Sequence, residues 1–154
     1  MKLQSRVCEI LEIEQPIVLA GMGGASSPSL AAAVSNAGGL GVLGAAACGP
    51  RQLREWIRKT REMTDKPFGV DTLLPASVRR ANYENNDGPT PMDLVPERQA
   101  FAEEFMRKEG LEPPEPGSLQ RGPDDDEPAL FTKEFFEAQM EVIIQERVPV
   151  YASG

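Results

Sequence analysis

Chemistry is first available in the chain at Gly21-Met22-Gly23-Gly24, between an apolar run, Pro16-Ile17-Val18-Leu19-Ala20, and a helix start at Ser27-Pro28. Glycines at such a junction let the backbone approach a flat or anionic group, and the start of the next helix offers unpaired N–H donors. Two readings fit: a ligand seat, or a tight strand-to-helix turn that holds nothing. A dinucleotide would also require an acidic residue about 20 positions onward to hold a ribose. No Asp or Glu lies between Glu14 and Glu55, which counts against nicotinamide dinucleotides and leaves a mononucleotide open. A second set, Gly39, Gly41 and Gly44 in GLGVLG, has GxGxxG spacing. It follows a helix and forms a strand, the reverse of the dinucleotide fingerprint, so it predicts close helix–strand packing.

Other chemistries are removed by what is missing. The chain has no histidine, so it forms neither a Ser-His-Asp nor a Cys-His nucleophile and no His-based zinc site. Cys8 and Cys48 make neither a CxxC pair nor a metal cluster. They could form a single disulfide, but a reducing cytoplasm favours two buried thiols. The run Asp124-Asp125-Asp126-Glu127 lacks EF-hand spacing and predicts a solvated acidic loop with no metal. Trp56 reads as core or helix-packing surface.

The 154 residues include 16 Lys+Arg and 24 Asp+Glu, a formal net charge of −8. That balance argues against a nucleic-acid binder, which needs a basic face. The length suits one soluble domain. Glu9, Glu12 and Glu14 interrupt any secretory signal after Lys2 and Arg6, and the uncharged window from Gln15 to Pro50 is cut by Ser26-Ser27-Pro28 and Gly38-Gly39. No unbroken apolar run of about 18 residues remains to span a membrane, so a cytoplasmic location is expected. Charge is uneven: residues 1–75 sum to +1 and residues 76–154 to −9, and eight of the 14 prolines fall between Pro89 and Pro128.

The elements that must position the glycine turn follow from periodicity. Ile10–Ile13 is a helical lead-in. Pro16–Ala20 is a buried strand, because its apolar run does not alternate. Ser27 supplies a hydroxyl cap and Pro28 the first position of a helix that continues from Leu30 to Ala37 and stops at Gly38. Gly39–Gly44 is a second strand. Pro50 opens a helix whose Leu53, Trp56, Ile57, Thr60 and Met63 share one face. Phe68–Leu74 is a third strand, ended by Pro75. Residues 76–128 form an acidic, Pro-rich insertion with one helix, 96–108, whose apolar face is Phe101, Phe105 and Met106 and whose end is Gly110. Glu112–Glu127 is expected to be irregular. Thr132 caps a helix to Glu146 with Phe136, Met140, Ile143 and Ile144 buried, and Val148–Ala152 is a fourth strand. This β-α-β-α-β-(insertion)-α-β order predicts an α/β fold with a parallel sheet and right-handed crossovers.

Pro16–Gly23, then Leu30–Gly44 (LAAAVSNAGGLGVLG), then Lys66-Pro67-Phe68-Gly69-Val70 resemble the nitronate monooxygenase family, formerly 2-nitropropane dioxygenase. The likeness spans residues 6–75 and 131–154 and leaves out the insertion. It implies a TIM-type (β/α)8 barrel binding FMN, an oxidoreductase that oxidises alkyl nitronates with molecular oxygen. It implies that Ala20, Gly21, Met22 and Gly23 lie against the flavin. It also places Asp71 where the family carries a flavin-contacting asparagine. An aspartate lacks the amide donor and brings negative charge to a ring that becomes anionic on reduction, so either Asp71 is protonated, or it is turned away, or flavin affinity is weakened.

A (β/α)8 barrel takes roughly 250 residues, and its phosphate site comes from the loops after strands seven and eight. The four strands predicted here make an N-terminal half-barrel, a truncated product or a fragment, in which 1–75 and 129–154 form the partial FMN-binding barrel. The family's catalytic histidine would lie beyond Gly154. Such a half-barrel is expected to be marginally stable, to dimerise or aggregate through its open edges, and to bind FMN weakly. The 76–128 insertion emerges on the active-site face, so its Phe101/Phe105 helix is either a lid or a surface excursion. Alternative readings are a flavin-dependent enoyl reductase-like barrel and a non-catalytic half-barrel without cofactor.

Overall fold

The computed structural model describes residues 5–73, 95–111 and 122–153. Eight elements follow one another: α1 (Arg6–Leu11), α2 (Pro28–Asn36), β1 (Gly41–Gly44), α3 (Pro50–Met63), β2 (Phe68–Thr72), α4 (Val95–Glu109), α5 (Lys133–Gln145) and β3 (Val150–Ser153). The three strands form one parallel sheet in the order β1-β2-β3. Gly41 pairs with Phe68 and Gly44 with Asp71, and Asp71 in turn pairs with Ala152. The α/β class and the parallel sheet are as the sequence implies.

The first of the four expected strands is not formed as a strand. Pro16–Ala20 is reduced to a single parallel bridge, Val18 to Leu40, held by Leu19 N–H to Leu40 O and Leu40 N–H to Ile17 O, each 2.9 Å. Pro16 has no N–H to give, and the chain turns away at Gly21, so the ladder has no room to extend. The last strand begins at Val150 instead of Val148, after Pro149, and β2 ends at Thr72.

Two apolar clusters sit on opposite faces of the sheet. On one face, Leu43, Phe68 and Val70 pack with Ala31 of α2, Leu53, Trp56 and Ile57 of α3, and Val142 and Ile143 of α5. On the other, Leu40 and Val42 pack with Cys8 and Ile13, with Val150 alongside. Strand residues alternate between these faces. Gly41 permits the close approach of α2, since a Cβ there would lie 1.9 Å from Ala31 O. Both cysteines are buried and form no disulfide.

Three local expectations change. Ser27 stands at the N-cap of α2, but its hydroxyl makes no cap bond and pairs with Ser29 Oγ at 3.1 Å. On α5, Phe136 and Ile143 are buried and Met140 packs against the core as expected, but Ile144 is 68% exposed and Phe135, Gln139 and Val142 are buried instead, so the inward face is centred about one position away. Residues 124–126 are exposed and Glu127 is half-buried, yet the run is anchored: Arg51 pairs with Asp124 and Asp126, and Glu127 accepts from Arg51 N–H at 2.8 Å. Thr132 does cap α5, accepting from Phe135 N–H at 3.2 Å. Among the described residues, no helix is long and apolar enough to cross a membrane.

Candidate functional site

The carboxyl ends of parallel strands are where α/β folds collect ligands, because loops from several strands converge there and helix N-termini point the same way. At this rim the Gly21-Met22-Gly23 turn folds back over β1. A Cβ on Gly44 would lie 2.5 Å from Met22 O, so glycine at the last position of β1 lets the turn rest on the strand. The other glycine motif therefore serves the turn as well as the helix–strand contact, a link the spacing alone did not reveal.

Ser26 holds the turn in shape. Its fully buried hydroxyl accepts from Met22 N–H at 3.1 Å and donates to Ala20 O at 2.7 Å. Its own N–H reaches Met22 O at 2.9 Å, and its carbonyl accepts from Gly44 N–H at 3.2 Å. Ser26 is not among the residues that the sequence singles out for the site. The available signal was a hydroxyl four residues after Met22, the spacing at which a side chain can close a loop on its own backbone.

Asp71 shares the inward face with Gly44 and Ala152, its partners in register on either side. Its carboxyl lies against the turn: a Cβ on Gly21 would sit 2.1 Å from Asp71 Oδ2. Asp71 is the only charged residue in the three strands. Burial pushes its carboxyl above the ordinary carboxylate range. The structure thus brings Ala20, Gly21, Met22, Gly23 and Asp71 to one rim. The floor between them is closed by the chain itself: the Asp71 side chain fills the space beside Gly21 and the Met22 backbone that over Gly44. A flat ring laid on this floor would have the 44%-exposed Met22 side chain as an apolar flank and Asp71 as the polar group.

Two other features lie apart from this rim. A cavity of about 590 Å³ is lined by Thr72, Leu73, Phe136, Met140, Ile144 and Tyr151, among others, and by none of the predicted site residues. Thr72 alternates with Asp71 along β2, so this cavity opens on the helix-covered face. On α4, Phe101 and Phe105 are 71% and 49% exposed and stack at 6.5 Å, leaving their apolar faces uncovered.

The family model described as "Nitronate monooxygenase" matches residues 4–94. The chain is 43% identical over 76 residues to a probable nitronate monooxygenase of Staphylococcus saprophyticus, covering 49% of this chain and 21% of that protein. It is 40% identical over 84 residues to one from Staphylococcus aureus, covering 53% and 24%. Among solved structures it resembles FabK from Thermotoga maritima (TM-score 0.58, 30% identity, 99% of this chain and 30% of that one). It also resembles nitroalkane oxidase from Streptomyces ansochromogenes (TM-score 0.54, 28% identity, 97% and 36%). The chain therefore spans about a quarter of the curated relatives it matches.

Proposed function

Because the chain belongs to the nitronate monooxygenase family, we propose that the floor at its carboxyl rim seats the isoalloxazine of FMN, in an oxidoreductase that oxidises alkyl nitronates with O2. The observation that supports this most directly is the turn over Gly44. Gly44 lets the Met22 backbone close on β1, and Gly21 lets the Asp71 carboxyl close on the turn, so Met22 and Asp71 meet at one rim. Ser26 fixes that rim by bonding both ends of the turn. FMN would supply the electron acceptor that the chain's own side chains lack.

The residues present suit this substrate class. A nitronate is already an anionic carbon nucleophile, so its oxidation asks for no strong base from this chain, which carries no histidine. Met22 would present apolar, polarisable surface to the ring, and Ala20 would bound it. The three strands and the Val18 segment read as the first four strand positions of a (β/α)8 barrel. The α4 helix reads as a cover for the substrate pocket, since its stacked Phe101 and Phe105 rings are uncovered. Cytoplasmic residence remains part of this reading.

Titrating FMN with the purified chain and following flavin fluorescence tests the seat. Quenching with a shift of the visible bands is expected. Gly44→Leu should weaken binding by at least about tenfold, because the added side chain displaces the turn. A chain that leaves FMN fluorescence unchanged would favour a non-catalytic remnant.

A further inference from the structure

We propose that Asp71 meets the occupant of this seat as an uncharged carboxylic acid, its hydroxyl donating to an acceptor atom on the ring, so that filling the seat takes up a proton. The inference rests on the flavin reading above and adds to it a pH requirement carried by this chain's own sequence.

The argument begins with what surrounds the carboxyl. On β1 the register partner is Gly44, and on β3 it is Ala152. The turn packed over it runs Ala20-Gly21-Met22-Gly23-Gly24-Ala25, with no titratable group. From Gln15 to Pro50 the only ionisable side chain is Cys48, which is fully buried in the helix-side cluster. Beside Asp71 on β2, Thr72 faces the opposite side and pairs with Tyr151 Oη at 2.9 Å. No element packed against the carboxyl among the described residues therefore brings it a cation. Its side chain has no hydrogen-bond donor among them either.

Part of that carboxyl is open to solvent. A ring lying on the floor beside it would exclude solvent and supply no positive charge in return. A carboxylate stripped of solvent with no counter-charge is far costlier than a neutral acid with an acceptor in reach. Burial has already moved Asp71 toward the neutral form before any ligand arrives. The balance is simple: one proton from solvent joins Asp71 Oδ as the ligand binds and returns to solvent as it leaves. No other bond changes.

The test compares riboflavin and FMN binding by fluorescence quenching from about pH 5 to about pH 8, in the wild-type chain, Asp71→Asn and Asp71→Ser. Riboflavin carries no phosphate, which itself titrates near pH 6. For the wild type, the riboflavin Kd should rise about tenfold per pH unit once the pH passes the titration of the ligand-free carboxyl. Both variants should bind with no such slope, and the asparagine variant should be as tight at the alkaline end as the wild type at the acid end. Circular dichroism checks that the variants fold, and the serine variant gives a second neutral side chain. Wild-type binding that is flat with pH overturns the inference while leaving the seat intact. So does a slope that persists in both variants, or one seen with FMN alone. No binding of either flavin to any of the three chains at any pH overturns the seat itself, and this inference with it.

Discussion

An acid whose burial is not matched by a donor weakens the fold where it is ionised, and Asp71 is in that position. Its folded-state value is raised by desolvation. The folded chain thus holds the proton more tightly than the unfolded chain does. The stabilising contribution is fully present in acid and is lost as pH rises through the raised value. Asp71→Asn should therefore unfold at a higher temperature than wild type near pH 7, with the gap closing near pH 4; thermal melts by circular dichroism at both values read this directly. A variant less stable than wild type at neutral pH would mean that the charged form is held by a partner. Ser26 makes the opposite case. Ser26→Ala removes the buried hydroxyl that bonds Met22 N–H and Ala20 O, and should cost about 0.5–1.5 kcal/mol by chemical denaturation. The glycines were legible as a tight turn because an absent side chain is visible in a sequence. The partners of Ser26 were not, because a hydroxyl that closes a loop looks like any other serine until the loop's path is known.

At the scale of elements, α5 is held to the rest by two contacts of different worth. Gln139 is fully buried, and its Nε2 donates to Ala45 O and Cys48 O, both at 2.8 Å. These carbonyls close the β1–α3 connection, so one amide ties that loop to the helix. Its Oε1 has no partner among the described residues. Glu146, at the end of α5, meets Arg54, Arg58 and Arg61 of α3, each at 2.9 Å. Burial raises its carboxyl, but hydrogen bonds from Arg58 and Arg54 and their charges outweigh this and hold it below the ordinary range. That contribution is present at neutral pH and is lost only as acid passes through the lowered value. The arginines are partly or largely exposed, which screens the cluster. Gln139→Met, which removes both amide bonds to the β1–α3 connection, should thus cost about 1–3 kcal/mol, whereas Glu146→Gln should cost about 1 kcal/mol or less. Urea unfolding of both variants decides between them, and equal losses would contradict the ranking. Element order and type were legible from periodicity and from caps such as Thr132. The inward face of α5 was misplaced by one step, because Phe135-Phe136 and Val142-Ile143-Ile144 offer two adjacent apolar stripes. Only the position of Leu43 and Val70 selects one. The Pro16–Ala20 strand failed for a local reason, a proline at one end and a turn at the other.

For the molecule as a whole, the sheet has two margins that differ in kind. On one side lies the Val18 segment, with a single bridge inward and Pro16 unable to donate outward. On the other lies β3, four residues long, with Tyr151, Ala152 and Ser153 exposed and no further strand beside it among the described residues. The cavity alongside β3 adds apolar surface from Phe136, Met140 and the 68%-exposed Ile144. An open strand edge flanked by apolar surface pairs with another chain when it can. The poor donor set at the Val18 margin disfavours head-to-tail growth, which would need both margins. Pairing of β3 with β3 of a second copy uses one margin twice, runs antiparallel and closes on itself. The 154-residue polypeptide should accordingly show a monomer–dimer equilibrium by sedimentation velocity, without a ladder of larger species. Ile144→Lys should weaken that dimer by about tenfold or more, since a lysine placed in an apolar contact loses solvation with no partner. The same change should leave monomer stability within about 0.5 kcal/mol, because the side chain is already in water. A monomer at about 100 μM would show that β3 is covered from within the chain, and a ladder would show that the Val18 margin accepts a strand after all.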